Sequence, residues 1–217
     1  MFDLFQEWTV LEGDSTLKRA IKAQGTDSVL QYQKEQLDTA LKFCTNFRHG
    51  IDIGANYGLM SYSMSQQFEQ VSSFEIVPEI NECFRKNMQK FNIRNVNIYG
   101  CGLGDKEEEV ALEFNPKSTF RTHVDKDAKG SFKVRTLDSY NFGNVDFIKM
   151  DVEGYEPLVI KGAIETIKKF KPVILYEEKG HAERFGYRKK IVRELLRDLK
   201  YRKLASVGSK NALLGVI

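Results

Sequence analysis

The sequence predicts an α/β fold in which helices cover both faces of a mostly parallel sheet. Short apolar runs of strand length alternate with amphipathic helical segments from residue 49 onward, a rhythm typical of βαβ units. A glycine-rich turn closes the first apolar run, and the next run ends at an acidic residue, Glu75. The chain has 217 residues, enough for one hydrophobic core. We therefore expect a single domain over residues 1–217.

The individual elements follow from periodicity and from helix and turn signals. Pro78 opens a helix, because proline lacks only an N–H that the first helical turn does not use. The last two apolar runs flank turn residues at 208–211, which predicts a closing hairpin and an antiparallel strand. The predicted strands are 50–53, 71–76, 96–99, 110–114, 133–137, 145–150, 173–176, 201–207 and 212–217, and the predicted helices begin after Tyr57, at Pro78, near 157 and near 191.

Two segments lie outside this alternation. Residues 1–48 are expected to form a helical cap, with Asp27 or Ser28 capping a helix that runs to about residue 43. Apolar residues recur at near-helical spacing between Phe2 and Leu11, so this part either covers the core or forms a lid. Residues 110–137 are expected to be a β-hairpin-like insertion around a polar, basic stretch.

Composition excludes several classes of protein. A net charge of +3 is too small to predict nucleic-acid binding over the whole surface. The three cysteines form no C-x-x-C pair, so neither a disulfide framework nor a zinc site is indicated. No apolar run approaches the roughly 18 residues of a membrane span, and the acidic start does not resemble a signal peptide, so we expect a cytoplasmic protein. The basic run 188–203 is either a solvated face or a patch for an acidic partner.

The glycine-rich turn indicates a nucleoside-bearing cofactor. Residues 51–58 read IDIGANYG, and Glu75 lies at the tip of the next strand, where a carboxylate can accept hydrogen bonds from two ribose hydroxyls. Dinucleotide sites instead read G-x-G-x-x-G, because a pyrophosphate lies against the following helix. A pyrophosphate would fit this turn poorly, which argues against an NAD-linked oxidoreductase. The turn resembles that of S-adenosylmethionine-dependent methyltransferases.

A second motif narrows the resemblance. Residues 136–140 read TLDSY, residues 146–156 read DFIKMDVEGYE, and residues 161–163 read KGA. Together with the glycine turn, Glu75 and the sequence LGD at 103–105, they closely resemble the FkbM family of S-adenosylmethionine-dependent methyltransferases over roughly residues 48–178. Tyr155 stands where that family often has histidine.

The resemblance implies a fold and an activity. The fold would be the Rossmann-like class I methyltransferase fold, with a seven-stranded, mostly parallel sheet and one antiparallel strand. The activity would be O-methylation of a hydroxyl group on a sugar of a polysaccharide or glycolipid, or on a macrolide. The expected partner is therefore a hydroxyl-bearing small molecule or a saccharide.

The cofactor is expected at the carboxyl ends of the strands. Its amino acid part should lie against the glycine turn, its ribose on Glu75 and its adenine near residues 102–105, where Asp105 is equally well explained as a turn residue. Asn56 either caps the next helix or contacts the cofactor, and Asp52 is expected to tie the turn together and orient the cofactor amine. The residues expected to bind the cofactor are Asp52, Gly54, Ala55, Asn56, Gly58, Glu75, Gly102, Leu103, Asp105 and Asp151.

Three carboxylates, Asp151, Glu153 and Glu156, follow the strand that ends near the expected position of the methyl group. Clustered acids raise one another's pKa and suit a proton acceptor. The same residues also suit capping of the next helix, or a divalent metal site with Glu177 as a further ligand. Catalysis or acceptor binding is the favoured interpretation, and no metal is assigned.

Two basic residues complete the candidate site. Lys149 lies in an apolar strand two positions before Asp151, and a buried lysine must be paired or lose its proton. An ion pair with Asp52 or a nearby carboxylate is favoured over a role as catalytic base. His181 is the histidine best placed to take a hydroxyl proton, with a surface loop position as the alternative.

Two other functions remain open on the sequence. A nucleic-acid methyltransferase is disfavoured, because the D/N-P-P-Y motif and the Pro-Cys nucleophile are absent and no stacking aromatics are interleaved with basic residues. A cofactor-binding module without catalysis would have no need of the carboxylates at Asp151, Glu153 and Glu156.

Overall fold

The computed structural model describes residues 1–208 and 210–216. Ser209 and Ile217, which belong to the predicted closing hairpin, lie outside the described residues. A mixed seven-stranded sheet forms the centre. One of its strands, Asn211–Val216, runs antiparallel to both of its neighbours. In spatial order its strands are β12 (Tyr201–Val207), β13 (Asn211–Val216), β11 (Val173–Glu177), β10 (Phe147–Met150), β3 (His49–Ile53), β4 (Gln70–Phe74) and β5 (Val96–Tyr99).

Helices cover both faces of this sheet, as expected. The helices are α1 (Thr16–Ala23), α2 (Lys34–Leu41), α3 (Leu59–Ser65), α4 (Pro78–Lys90), α5 (Glu156–Lys161), α6 (Ile164–Phe170) and α7 (Ile191–Leu195). Phe147 of β10 packs with α2 and α3, whereas its neighbour Ile148 packs with α5, α6 and α7. Since successive strand residues face opposite sides, both faces of β10 are buried in apolar cores, and the predicted α/β fold is confirmed.

The sheet brings distant motifs to one edge. In register, Ile53 of β3 lies beside Phe74 of β4 and beside Met150 of β10. The loops that follow these parallel strands therefore meet at the carboxyl edge, together with the end of β11 at Glu177. This is the edge at which ligands of open α/β sheets bind.

The expectation of a helical cap over residues 1–48 is wrong for the start of this segment. Strands β1 (Phe2–Phe5) and β2 (Trp8–Leu11) form an antiparallel hairpin, with Gln6 and Glu7 at φ values of 46° and 72° in its turn. Only α1, α2 and a short 3-10 turn at Val29–Gln31 are helical. Gln33, at a φ of 58°, separates that turn from α2, so the helix predicted from Asp27 or Ser28 is broken.

The insertion is larger than a hairpin. Strands β7 (Glu108–Glu113), β8 (His123–Asp125) and β9 (Phe132–Arg135) join the short β6 (Gly102–Leu103) in a separate four-stranded sheet. The helix predicted near 157–170 is divided at Gly162, where an added Cβ would lie 1.8 Å from the Gly104 carbonyl oxygen. Among the described residues, no helix has both the length and the apolar character that a membrane crossing needs.

Candidate active site

A cavity of about 1000 Å³ opens at the carboxyl edge of the sheet. The glycine turn and the ends of β4, β10 and β11 form its floor, while the N-terminal segment and the insertion form its walls. Its size is at the upper end of the range for small-molecule sites. The predicted residues that line it are Gly54, Ala55, Asn56, Glu75, Gly102, Leu103, Lys149, Asp151, Glu153 and His181.

The glycine turn is held against the end of β4. Gly54 has a φ of 77°, and an added Cβ there would lie 2.1 Å from the Asp151 carbonyl oxygen, so only glycine fits. The backbone N–H groups of Gly54 and Ala55 both donate to the Phe74 carbonyl oxygen at 3.0 Å. These contacts place the turn beside Glu75.

Glu75 is a buried carboxylate at the cavity floor. It is only 6% exposed, and its two oxygens accept hydrogen bonds from the backbone N–H groups of Asn56 and Val77, each at 2.9 Å. Burial raises the pKa of Glu75 to about 7. Each oxygen retains acceptor capacity, so this carboxylate suits the ribose hydroxyls of a nucleoside. Asn56 Oδ1 accepts from the Tyr57 N–H at 2.9 Å, a bond within the glycine turn that does not cap α3.

The predicted ion pair between Lys149 and Asp52 is present. Lys149 Nζ lies 3.3 Å from Asp52 Oδ1 and donates to the Gly54 carbonyl oxygen at 3.3 Å, and Ser61 donates to Asp52 Oδ2 at 2.6 Å. Burial alone would lower the pKa of Lys149, but the charges of Asp52 and Asp151 raise it above its usual value. These contacts tie Lys149 to Asp52 and to the glycine turn.

Three residues that were expected to bind the cofactor are not part of the cavity lining. Asp52 is fully buried beneath the glycine turn, where it pairs with Lys149. Asp105 is exposed in the turn after β6 and is outside the cavity lining. Gly58 is also outside the lining; its φ of 88° starts α3, where an added Cβ would lie 2.1 Å from the Phe84 ring.

Glu156 bonds the backbone of the loop that precedes α5. It is 5% exposed at the start of α5 and lies outside the large cavity. Its Oε1 accepts from the N–H groups of Val152 and Gly154 at 3.2 and 3.3 Å. Burial raises the pKa of Glu156 to about 7. These contacts hold the loop between β10 and α5, and α5 itself has no side-chain cap.

Glu153 and His181 form a pair that lines the cavity. His181 Nδ1 lies 2.7 Å from Glu153 Oε2. Burial, followed by the charge of Asp151, raises the pKa of Glu153 and raises that of Glu177 to about 8. Lys179 contacts Glu177 and lies 3.8 Å from Glu153. The sequence analysis missed Lys179, although its position two residues after a strand-end acid is visible in the sequence.

The cavity walls contain two aromatic residues that the sequence did not single out. Tyr32, after the 3-10 turn of the N-terminal segment, and Phe120, in the insertion, have ring centroids 5.9 Å apart. At the start of β6, Gly102 lies under Ile76, whose Cδ1 would be 2.9 Å from an added Cβ. No sequence motif marks the positions of Tyr32 and Phe120.

The fold is the class I methyltransferase fold. A structure of a Streptococcus mutans protein, described as a methyltransferase in complex with SAH, superposes with a TM-score of 0.54 at 11% identity, covering 84% of this chain and 96% of that one. The family model described as Methyltransferase FkbM domain matches residues 52–203. Because this match covers most of the chain, the protein belongs to the FkbM methyltransferase family, and the predicted family and cofactor, S-adenosylmethionine, are confirmed.

Two further relatives are longer than this chain. Methyltransferase 1 of Beauveria bassiana (strain ARSEF 2860) is 26% identical over an alignment of 141 positions, which covers 52% of this chain and 57% of that protein. The crystal structure of Methyltransferase FkbM from Methylobacillus flagellatus KT has a TM-score of 0.53 at 19% identity, covering 77% of this chain and 43% of that one. This chain therefore spans about half of each relative.

Proposed function

We propose that this protein transfers a methyl group from S-adenosylmethionine to a hydroxyl oxygen of an acceptor, with a sugar as the favoured acceptor. The observation that carries the proposal is one continuous cavity that joins Gly54 and Glu75 to the pair of Glu153 and His181. A cofactor gripped at one side would thus share its cavity with a candidate proton acceptor.

The residues at the glycine turn suit the cofactor. Glu75 would accept hydrogen bonds from both ribose hydroxyls, while the backbone of residues 54–56 would lie against the amino acid part. Gly102 and Leu103 would offer an apolar surface to the adenine. When bound, S-adenosylmethionine supplies an electrophilic methyl group, so the main task of the protein is to align the acceptor oxygen, an effect worth up to about 7–11 kcal/mol.

His181 would take the proton that the acceptor hydroxyl loses. His181 Nδ1 lies 2.7 Å from Glu153 Oε2, so a hydrogen on Nδ1 would face this carboxylate and Nε2 would accept the hydroxyl proton. Glu153 would then stabilise the imidazolium that forms. A positioned base of this kind typically contributes about 10²- to 10⁴-fold in rate.

The remaining lining supports a saccharide. Carboxylates at Asp151 and Glu177 and the side chain of Asn211 offer hydrogen bonds to several hydroxyls. The rings of Tyr32 and Phe120 provide apolar surface for the less polar face of a sugar ring. A lining that mixes such groups suits a ligand with many hydroxyls and little charge.

The test is transfer of labelled methyl groups from S-adenosylmethionine to saccharide, glycolipid and RNA fractions. We expect label in a hydroxyl-bearing saccharide fraction, and a fall in kcat of about 10²- to 10⁴-fold for His181→Gln with cofactor binding unchanged, because an amide cannot take the proton. Glu183→Gln, an exposed change in the same 3-10 turn, is the matched control.

Two results would contradict the proposal. Label appearing in RNA alone would indicate a nucleic-acid methyltransferase. Cofactor binding by the wild-type protein, without transfer to any acceptor fraction, would indicate a binding module without catalysis.

A further inference from the structure

Lys179 lies within the cluster of acids that faces the cavity. Its Nζ contacts Glu177 Oε1 and lies 3.8 Å from Glu153 Oε1, and the same Glu153 carboxylate lies 2.7 Å from His181. The side chains of Glu177 and Glu153 are only 9% and 13% exposed, and that of Lys179 is 24% exposed. One ammonium group therefore bridges two largely buried carboxylates.

The same carboxylates have the geometry of a cation site. One ligand atom each from Glu153, Glu177 and His181 all lie within 4.8 Å of one another. Carboxylate oxygens and imidazole nitrogen are common ligands of divalent metal ions. The charge of Asp151 also acts on this cluster, since it helps to raise the pKa values of Glu153 and Glu177. Such a concentration of negative charge needs a counter-charge.

The backbone directs Lys179 into this position. Gly180 follows it at a φ of 94°, and the preceding Glu178 is held by Tyr176 and Arg193 on the side of α7. Across the cluster, an added Cβ at Gly154 would lie 2.5 Å from the His181 carbonyl oxygen, so the loops after β10 and β11 are in close contact. Lys179 is therefore the ammonium that the end of β11 presents to the cavity.

We propose that Lys179 is the resident cation of this cluster and acts as a positioning residue. Its ammonium occupies the place that a divalent metal ion would take, and it holds Glu153 in the orientation that fixes His181. Methyl transfer then needs no metal, and removing the ammonium converts the three remaining side chains into a divalent-metal site. The kinetic part of this inference rests on the proposed function, whereas the metal-binding part does not.

The first measurement is Mn²⁺ binding to metal-stripped protein by electron paramagnetic resonance. We expect Lys179→Met to bind Mn²⁺ at least tenfold more tightly than the wild-type protein. Lys189→Met, which removes an exposed lysine close to Gly180, should bind Mn²⁺ no more tightly than wild type. Equal Mn²⁺ affinity in Lys179→Met and wild type would overturn the inference.

The second measurement is steady-state kinetics with and without a chelator. Lys179→Met should lower kcat tenfold or more with an unchanged KM for the cofactor, and Lys179→Arg should restore most of the rate. Mn²⁺ should partly rescue Lys179→Met alone.

Loss of wild-type turnover on chelation, or full turnover of metal-free Lys179→Met, would also overturn the inference about Lys179. If Lys179→Met fails to fold, Lys179→Gln replaces it in both measurements. A wild-type protein without methyl transfer would contradict the proposed function, and Mn²⁺ binding would still decide this inference.

Discussion

Single buried polar side chains organise the part of the site around the glycine turn. Glu75 accepts two backbone N–H groups while it faces the cavity, and Lys149 supports the glycine turn from below. Burying a charged side chain raises the free energy of the folded state unless its hydrogen-bond and ion-pair partners are kept. Conservative changes at such positions should therefore affect ligand binding more than their size indicates.

Replacement of Glu75 by glutamine tests this at the cofactor. The amide places an NH₂ group against one of the two backbone donors and removes the charge that would receive the ribose hydroxyls. A hydrogen bond to a charged group contributes about 1.5–3 kcal/mol, so we expect the Kd for S-adenosylmethionine to rise roughly 10- to 100-fold by calorimetry. Glu79→Gln, exposed in the first turn of α4, should leave the Kd unchanged. A wild-type Kd for Glu75→Gln would contradict the assigned role.

Much of this residue-level pattern could be predicted. The glycine turn and the strand-end acid are local signals, and Lys149 and Asp52 are neighbours in register on adjacent parallel strands, so alternation along the strands was enough to pair them. Glu156 was harder, because an acid at a helix start suits capping and catalysis equally well. Its side chain bonds the loop N–H groups of Val152 and Gly154, a contact that no local sequence signal indicates.

Three elements around the cavity are joined at one carboxylate. Asp14 Oδ2 accepts from the hydroxyl groups of Tyr57, beside the glycine turn, and Thr119, in the insertion, at 2.6 and 2.7 Å. Its Oδ1 accepts from Thr16 at the start of α1. The N-terminal segment, the glycine turn and the insertion thus share one set of hydrogen bonds.

Asp14→Asn should loosen this junction. The amide NH₂ cannot accept from the two hydroxyls, and losing these partly buried hydrogen bonds costs about 1–3 kcal/mol, which lowers Tm by roughly 2–12 °C for a protein of this size. We also expect faster hydrogen exchange over residues 119–125. Asp127→Asn, exposed elsewhere in the insertion, is the control. Unchanged exchange in Asp14→Asn would show that the junction does not hold the insertion.

The N-terminal hairpin shows why some elements escaped prediction. The apolar residues Phe2, Phe5, Trp8 and Leu11 have a spacing that suits a helix as well as two short strands. The turn between the strands is formed by Gln6 and Glu7 in left-handed conformations, where Asn-Gly is the usual signal. Long-range packing decides the outcome, because Asn87 of α4 bonds both the N–H and the carbonyl oxygen of Thr9.

At the scale of the whole molecule, buried acids should make stability depend on pH. Burial raises the pKa values of Glu75 and Glu156 to about 7, and that of Glu177 to about 8, from 4.5. The folded state then holds protons that the unfolded state releases above about pH 4.5. The resulting stabilisation is complete at low pH and is lost as the pH rises through 7 to 8.

Glu156→Gln should flatten this dependence, since an uncharged amide can keep the bonds to the loop N–H groups. The contribution of Glu156 is on the order of 3 kcal/mol at 1.36 kcal/mol per pKa unit. We expect denaturant unfolding of the ligand-free protein to show a smaller difference between about pH 5.5 and pH 8 in this variant. Glu165→Gln, exposed in the first turn of α6, should keep the wild-type slope, and equal slopes in all three proteins would refute the assignment.

The hairpin also carries the single tryptophan of the chain. Trp8 is 1% exposed, and its ring lies 5.7 Å from that of Tyr62 and 4.9 Å from that of Phe91. Its indole emission therefore originates from one place, the contact between the hairpin and the helices α3 and α4. Intrinsic fluorescence would therefore report separation of the hairpin from these helices without any added label.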